Sequence, residues 1–562
     1  MTKNKSQTKF KVAAAVLILP LLAITVHAQS PLDSLGCDYL EQIFNKVIDP
    51  KKATAIYYQA LENLETPSPQ NADRLKRLEA DITDIMAETE RTSYKNLKSP
   101  AEKVAFCQRF WRSRDLTPAT EGNERLVEHY ARVAYARDKY TFFDARGYDD
   151  RGQIYVQYGP PENSVTDPFH PSCVPLETWA YYSLGSPVTF DFIDNGYGFR
   201  LTTRIDKAIK AESLPKSSHD AYISALSDLL STRAMLSPVY AKAYADFQQV
   251  LMDGPGKSVE RYKRAGVVID QYTSTNQSLK VNLPKSHSEV LKDVSELPFM
   301  VHLARFKDDA QHHNLIILYG LKASDFKFIK ADSTAKLVLA AAVKDTNLST
   351  LAGQQDTLQI TSTSFDDAGK LTGTLHYKIS SGRYFVLLDL NNPGSRQRGL
   401  KDFSVTIGSY PSGILHLSSV IFAKKVMPTD SATSQNAFTH HHFAITPYPF
   451  PTINRNVRMF VYFEIYDLQR DVSGETFYEV EYEVHEPAKK GLASLLASLN
   501  PFDKSGGSIS VSETRRGKAA VEPTYLQLDF SQLRSGKYDL IMRVTDKVAN
   551  ATKESKLEFE LE

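Results

Sequence analysis

The sequence predicts a multi-domain α+β protein: an N-terminal helical region, a small domain of helices plus an antiparallel sheet, then two immunoglobulin-like β-sandwiches. Three observations predict it. Apolar residues recur at helical spacing from residue 38 to about 143. A run of strands closed by tight turns follows over 152–204. From about residue 285, short β-rich runs succeed one another to the C-terminus. A length of 562 residues suits several domains. Twenty-nine tyrosines and 28 phenylalanines against two tryptophans suit a β-rich chain.

The N-terminus reads as an export signal. Lys3, Lys5, Lys9 and Lys11 precede an apolar run, Val12–Val26, and Val26-His27-Ala28 fits signal peptidase with a cut after Ala28. The run is shorter than the about 20 residues of a spanning helix, and Pro20 interrupts it. No cysteine sits just after the cut, which argues against a lipoprotein. The expectation is a signal peptide at 1–28 and an extracytoplasmic chain, periplasmic or secreted. Without the signal the net charge is near −3, four below the +1 of the whole sequence. That balance argues against nucleic acid or an anionic membrane surface as partner. No later segment has the length and apolarity of a transmembrane span. Three cysteines leave at least one unpaired, and Cys37 and Cys107, both in helical segments, could bridge after export.

The helical region is placed at 29–105. Leu40, Ile43, Phe44 and Val47 mark one helix over Asp38–Ile48. Ile56, Tyr57, Ala60 and Leu61 mark a second over Lys52–Leu64. Pro67-Ser68-Pro69 reads as a break, and Asn71 as the cap of a third helix carrying Leu75, Leu78, Ile82, Ile85 and Met86. The small mixed domain spans 106–205. It opens with helices to 143 and turns to strands at Gln153–Tyr158, which runs into Gly159-Pro160-Pro161. Three more strands are expected at Glu177–Tyr182, Val188–Ile193 and Tyr197–Thr203, with a hairpin turn at Asp194-Asn195-Gly196.

A helical segment, 206–265, precedes the first sandwich, placed at 266–427. A polar linker, 428–439, leads to the second sandwich at 440–562, with a helical insertion near 487–502 carrying Leu492, Leu495, Leu496 and Leu499. The two sandwiches echo each other. Ser381-Gly-Arg-Tyr-Phe-Val-Leu-Leu-Asp-Leu390 matches Ser535-Gly-Lys-Tyr-Asp-Leu-Ile-Met-Arg-Val544, each with a tyrosine opening a late strand after a glycine turn.

Familiar catalytic patterns are missing: there is no G-x-S-x-G, H-E-x-x-H or C-x-x-C. Gly254-Pro-Gly-Lys-Ser258 imitates the end of a phosphate loop but has Leu251 where the first glycine belongs, so it reads as a turn. His440-His441-His442 and His312-His313 read as incidental surface histidines. Strand neighbours point to opposite faces, and no carboxylate lies close by in sequence. Asp191, Asp194 and Asn195 lack calcium-loop spacing and read as part of a hairpin. No catalytic, cofactor or metal residue is assigned.

Charge, aromatics and glycine concentrate in Arg146-Gly-Tyr-Asp-Asp-Arg-Gly-Gln-Ile-Tyr-Val-Gln-Tyr-Gly-Pro-Pro-Glu162. Phe110-Trp-Arg-Ser-Arg-Asp-Leu-Thr-Pro118 and Glu128-His-Tyr-Ala-Arg-Val-Ala-Tyr135 precede it, and Glu177-Thr-Trp179 follows. Over 106–200 this resembles the bacterial GWxTD-domain proteins. They share the W-x-x-R-D-x-T-P segment, the H-Y-x-R-V-x-Y-A helix, the R-G-x-I-Y-I-x-Y-G-P-P run and an E-x-W-x-Y strand. The motif in this chain diverges: Gly147-Tyr148-Asp149-Asp150 has tyrosine for tryptophan, no threonine, and one residue fewer before Arg151-Gly152. The resemblance implies export and no established catalysis. Arg151, Tyr158, Glu162, Glu177 and Trp179 form the candidate binding surface, facing an envelope protein or a glycan. The expected function is a non-catalytic interaction or structural protein. The alternative is a cell-wall or polysaccharide-active hydrolase using carboxylates near 149–177, such as Asp149, Asp150, Glu162 and Glu177.

Overall fold

A computed structural model describes residues 49–210, 219–252, 258–309, 311–328, 334–429, 437–486 and 509–562. The expected signal peptide, the Asp38–Ile48 helix, Cys37 and its bridge to Cys107, most of the 254–258 turn, and the 487–502 insertion lie outside the described residues.

Helices α1 (Pro50–Glu62), α2 (Pro69–Thr83), α3 (Glu88–Asn96), α4 (Pro100–Arg112) and α5 (Glu124–Lys139) form the head. Proline occupies the first position of α1, α2 and α4, where its missing N–H leaves nothing unpaired. Asp49, Ser68 and Ser99 cap these helices through their side chains. The Pro67-Ser68-Pro69 segment is therefore a helix start as well as a break. Asn71 sits inside α2, and its amide donates to the carbonyls of Asn63 and Thr66. The inner faces converge on Trp111, whose indole N–H donates to the Tyr57 hydroxyl at 2.9 Å in a core shared with Tyr94, Tyr130 and Val133.

Next come α6 (Asp150–Tyr158) and an antiparallel sheet of β1 (Asn163–Asp167), β2 (Leu176–Tyr181), β3 (Val188–Asp194) and β4 (Phe199–Thr202), paired in chain order. The strand expected at Gln153–Tyr158 is instead helix α6. Asp149 caps it by accepting from the N–H groups of Arg151 and Gly152. Ile154 and Tyr158, four apart, face the aromatic cluster of the sheet, while Val156 faces the head core. A helix buried on two sides thus carries the alternation of a strand.

Helices α7 (His219–Arg233), α8 (Pro238–Met252) and α9 (Ser258–Lys280) cover the other face of that sheet, packing Leu226, Tyr240, Phe247 and Ile269 against Leu176 and Ile193. Because α9 continues to Lys280, the first sandwich does not begin at 266.

The first pair of stacked sheets uses β5 (Ser295–Glu296), β6 (Met300–Lys307), β7 (His312–Lys322), β8 (Thr334–Lys344), β9 (Thr350–Thr361), β10 (Lys370–Ser380), β11 (Gly382–Asn392) and β12 (Gln397–Ile407). One sheet runs β10-β7-β6, the other β5-β12-β11-β8-β9. Leu315, Ile317 and Leu375 from the first meet Leu337, Leu339, Val386 and Leu388 from the second. The outer face of the larger sheet is covered in part by the head: Ala119 packs on Ala340, Ala342 and Leu387, and Arg112 donates to the Ser349 hydroxyl at 2.8 Å.

The second pair uses β13 (His416–Leu417), β14 (Ile421–Pro428), β15 (Phe438–His440), β16 (Phe443–Pro447), β17 (Thr452–Ile453), β18 (Met459–Tyr466), β19 (Thr476–His485), β20 (Ile509–Gly517), β21 (Val521–Leu528), β22 (Gly536–Asp546) and β23 (Ala551–Leu561). One sheet orders β13-β18-β14-β16-β15, with β21 also on β18, and the other β17-β23-β22-β19-β20. Segment 428–439, expected as an interdomain linker, joins β14 to β15 of a single sheet, since both pair with β16. The two sandwich-like units also share a core. Ile316 and Leu318 on the outward side of β7 pack with Ile421, Ile445 and Tyr462. That second burial explains the continuous apolar run Leu315–Leu318. Among the described residues no helix is long and apolar enough to cross a membrane.

Candidate functional site

The structure brings Arg151, Glu177 and Trp179 together as a joint between α6 and the small sheet. Arg151 donates to Asp149 at 2.8 Å and to Glu177 at 2.7 Å, and its guanidinium lies over the rings of Phe199 and Tyr140. The other oxygen of Glu177 accepts the Trp179 indole N–H at 3.1 Å, and Trp179 is only 3% exposed. Tyr158 belongs to the same aromatic cluster, and its hydroxyl donates to the Pro284 carbonyl. Glu162 stands apart and exposed, accepting from the N–H groups of Tyr182 and Ser183. Burial works upward on its carboxyl, but the Ser183 and Tyr182 donors hold it below the usual carboxylate range. Asp150 accepts from the Leu201 N–H and from Arg200. Four of the five expected surface residues are therefore packed inward, and each of the four carboxylates has partners.

A second buried group ties the sheet to α7–α9. Asp191, mid-strand in β3 rather than in the hairpin turn, accepts from the hydroxyls of Thr178, Tyr240 and Tyr272 at 2.8, 2.6 and 2.6 Å. Arg233 donates to Thr178 and pairs with Asp167. Burial and the adjacent Asp191 charge both push the two tyrosine hydroxyls well above their usual range.

A cavity of about 780 Å³ opens between the head and the first sandwich. The head contributes Tyr58, Arg112 and Asp115, and the sandwich Lys344 and Gln354, among others. Burial pushes the Asp115 carboxyl up to about 7 and the Lys344 ammonium down. Consecutive residues Gly353, Gln354 and Gln355 of β9 line it, so the strand presents its edge as well as a face. β9 is the outermost strand of its sheet and largely exposed from Thr350 to Gln359. Asp115 lies in the W-x-x-R-D segment, but nothing in the sequence places it opposite Lys344.

The histidines of His312-His313 and His440-His441-His442 are not all at the surface. His313 is buried and contacts the Ser381 hydroxyl. His440 and His441 both approach Glu464 Oε1 on β18, at 2.9 and 3.2 Å. Strand alternation fails there because β15 ends at His440 and His441 takes a left-handed φ of 47°. Glu464 is fully buried and also accepts from the hydroxyls of Tyr462 and Tyr466, both at 2.7 Å. Burial works to raise its carboxyl, yet His440 and His441 hold it at about 2.

No protein-family model and no curated protein matches the chain. Among solved structures, Bacteroides uniformis beta-glucuronidase gives a TM-score of 0.16 at 10% identity, covering 44% of this chain and 26% of that one. Escherichia coli alpha-2-macroglobulin activated by porcine elastase gives 0.15 at 12% identity, covering 48% of this chain and 22% of that one. The chain spans about a quarter of the length of either.

Proposed function

We propose that this chain is an exported, non-catalytic interaction protein of the bacterial cell envelope, related to the GWxTD-domain proteins, whose partner is a protein that adds an extended segment to the edge of β9. The helical head forms one wall of the binding cleft. The two immunoglobulin-like sandwiches act as a scaffold and spacer. The observation that carries this reading is the edge of β9: twelve residues long, without proline, with Asp356 its only charge, and unpaired among the described residues beside the 780 Å³ cleft. Natural sheets blunt such edges with charge, proline or short length. A long polar edge left open suits strand addition, in which backbone hydrogen bonds supply affinity.

The relation to the GWxTD family is supported by the structural duties of the shared residues. Trp111 and Tyr130 build the head core, and Arg132 reaches the carbonyls of Gln157 and His287. A polysaccharide-active hydrolase is less well supported, because Asp149, Asp150, Glu162 and Glu177 are engaged by arginines or backbone donors rather than set across a cleft. Affinity purification from envelope fractions with the full mature chain tests the proposal. The expected result is a discrete protein partner that is lost when Gln355→Pro interrupts the edge. Processed envelope glycan with no partner contradicts it.

A further inference from the structure

The contact of His440 and His441 with Glu464 has features that a simple ion pair does not explain. Two imidazole nitrogens converge on one carboxylate oxygen that already accepts the Tyr462 hydroxyl. His440 Nε2 is shielded from solvent and, although 2.9 Å from that oxygen, makes no hydrogen bond. The two rings lie with centroids 4.7 Å apart. Two imidazolium cations at that separation repel each other, and two neutral rings donating through Nε2–H crowd three donors onto one oxygen that has two lone pairs.

One divalent cation resolves both conflicts. We propose that His440 Nε2, His441 Nε2 and Glu464 Oε1 bind a zinc-type divalent metal ion at the junction of the two sandwiches. The three donor atoms lie within 4.8 Å of one another. Zinc bonds of 2.0–2.1 Å put tetrahedral donors about 3.3 Å apart, so modest ring rotations close the site. Two imidazoles and one carboxylate favour zinc-like ions over calcium or magnesium, which prefer all-oxygen sets. The hydroxyls of Tyr462 and Tyr466 orient the carboxylate, as outer-shell donors do in metal sites. His441 is about a third exposed, with 34% of its side chain accessible, which gives the ion an entry path and leaves a fourth position for solvent.

The site also has a structural consequence. The His440 ring packs on Phe306 of β6, with centroids 4.8 Å apart, so a bound ion fastens the β15–β16 hairpin to β18 where the first sandwich meets the second.

The test uses the full mature chain, stripped with chelator and titrated with Zn2+ and with Co2+. The expected result is one tight site per chain, with tetrahedral-type visible bands from Co2+ that Zn2+ displaces. His440→Ala and His441→Ala should each weaken binding by more than the ~10–100-fold that loss of an outer-shell partner costs, and Tyr462→Phe by ~10-fold. His442→Ala, outside the cluster, should leave binding unchanged. In the wild type alone, Zn2+ should protect the accessible His441 from diethylpyrocarbonate, a readout independent of variant folding. Absence of stoichiometric binding, equal loss in His442→Ala, or an unprotected His441 in saturating Zn2+ overturns the proposal.

Discussion

Tyr384 and Tyr538 make the same hydrogen bond, each hydroxyl donating at 3.0 Å to the backbone carbonyl four residues upstream, Ser380 and Arg534. Each opens a central strand, β11 or β22, just after the glycine that begins it. The sequence echo between the two β-rich blocks is therefore a repeated device that pins a strand to the turn before it. Tyr384→Phe and Tyr538→Phe should each cost about 1 kcal/mol. Hydrogen exchange should show the loss of protection confined to the sandwich that carries the substitution. Loss in the other sandwich, or none in either, contradicts the equivalence.

The Arg151–Glu177 pair joins α6 to β2, and each side chain is about 15% exposed. Removing one member of such a pair leaves the other charge poorly solvated. Arg151→Ala should destabilise the small domain by about 3 kcal/mol, with faster exchange in α6 and β2–β4. Arg151→Lys, which cannot engage Asp149 and Glu177 through one planar fork, should recover only part of that loss. If this region instead forms an open binding surface, both variants keep wild-type stability and lose only a ligand.

Much of this architecture was legible because local signals agreed. Pro-initiated, capped helices at α1 and α4, the Asp194-Asn195-Gly196 turn between β3 and β4, and the apolar strands of both sandwiches follow from their own residues. What was not legible depended on neighbours remote in sequence. Ile154 and Val156 alternate because α6 is buried on two sides. The polar run after Pro428 looks like a linker, but β14 on one side and β15 on the other pair with the same strand. His440 and His441 look incidental until Glu464, on another strand, is placed beside them.

Asp115 gives the cleft a pH signature. Burial raises its carboxyl to about 7, so the folded state favours the protonated form. Its contribution to stability is complete below the ordinary carboxylate range and is lost as pH rises through about 7. Lys344, itself pushed down by burial, and Arg398 face it as cations, and Glu124 as an anion. Asp115→Asn should flatten the melting temperature of the chain between about pH 4 and 7 relative to wild type. Parallel pH profiles for the two proteins contradict this.

Site-specific photo-crosslinking tests whether the edge of β9 receives a protein partner. A photoreactive residue is placed at Gln354, on the cleft rim, in the full chain expressed in its native host. A second is placed at Val548, an exposed position between β22 and β23. A discrete adduct with one envelope protein is expected from Gln354 and none from Val548, with the adduct abolished by Gln355→Pro. Adducts from both positions alike, or release of glycan fragments by the purified chain that Asp115→Asn abolishes, would contradict it.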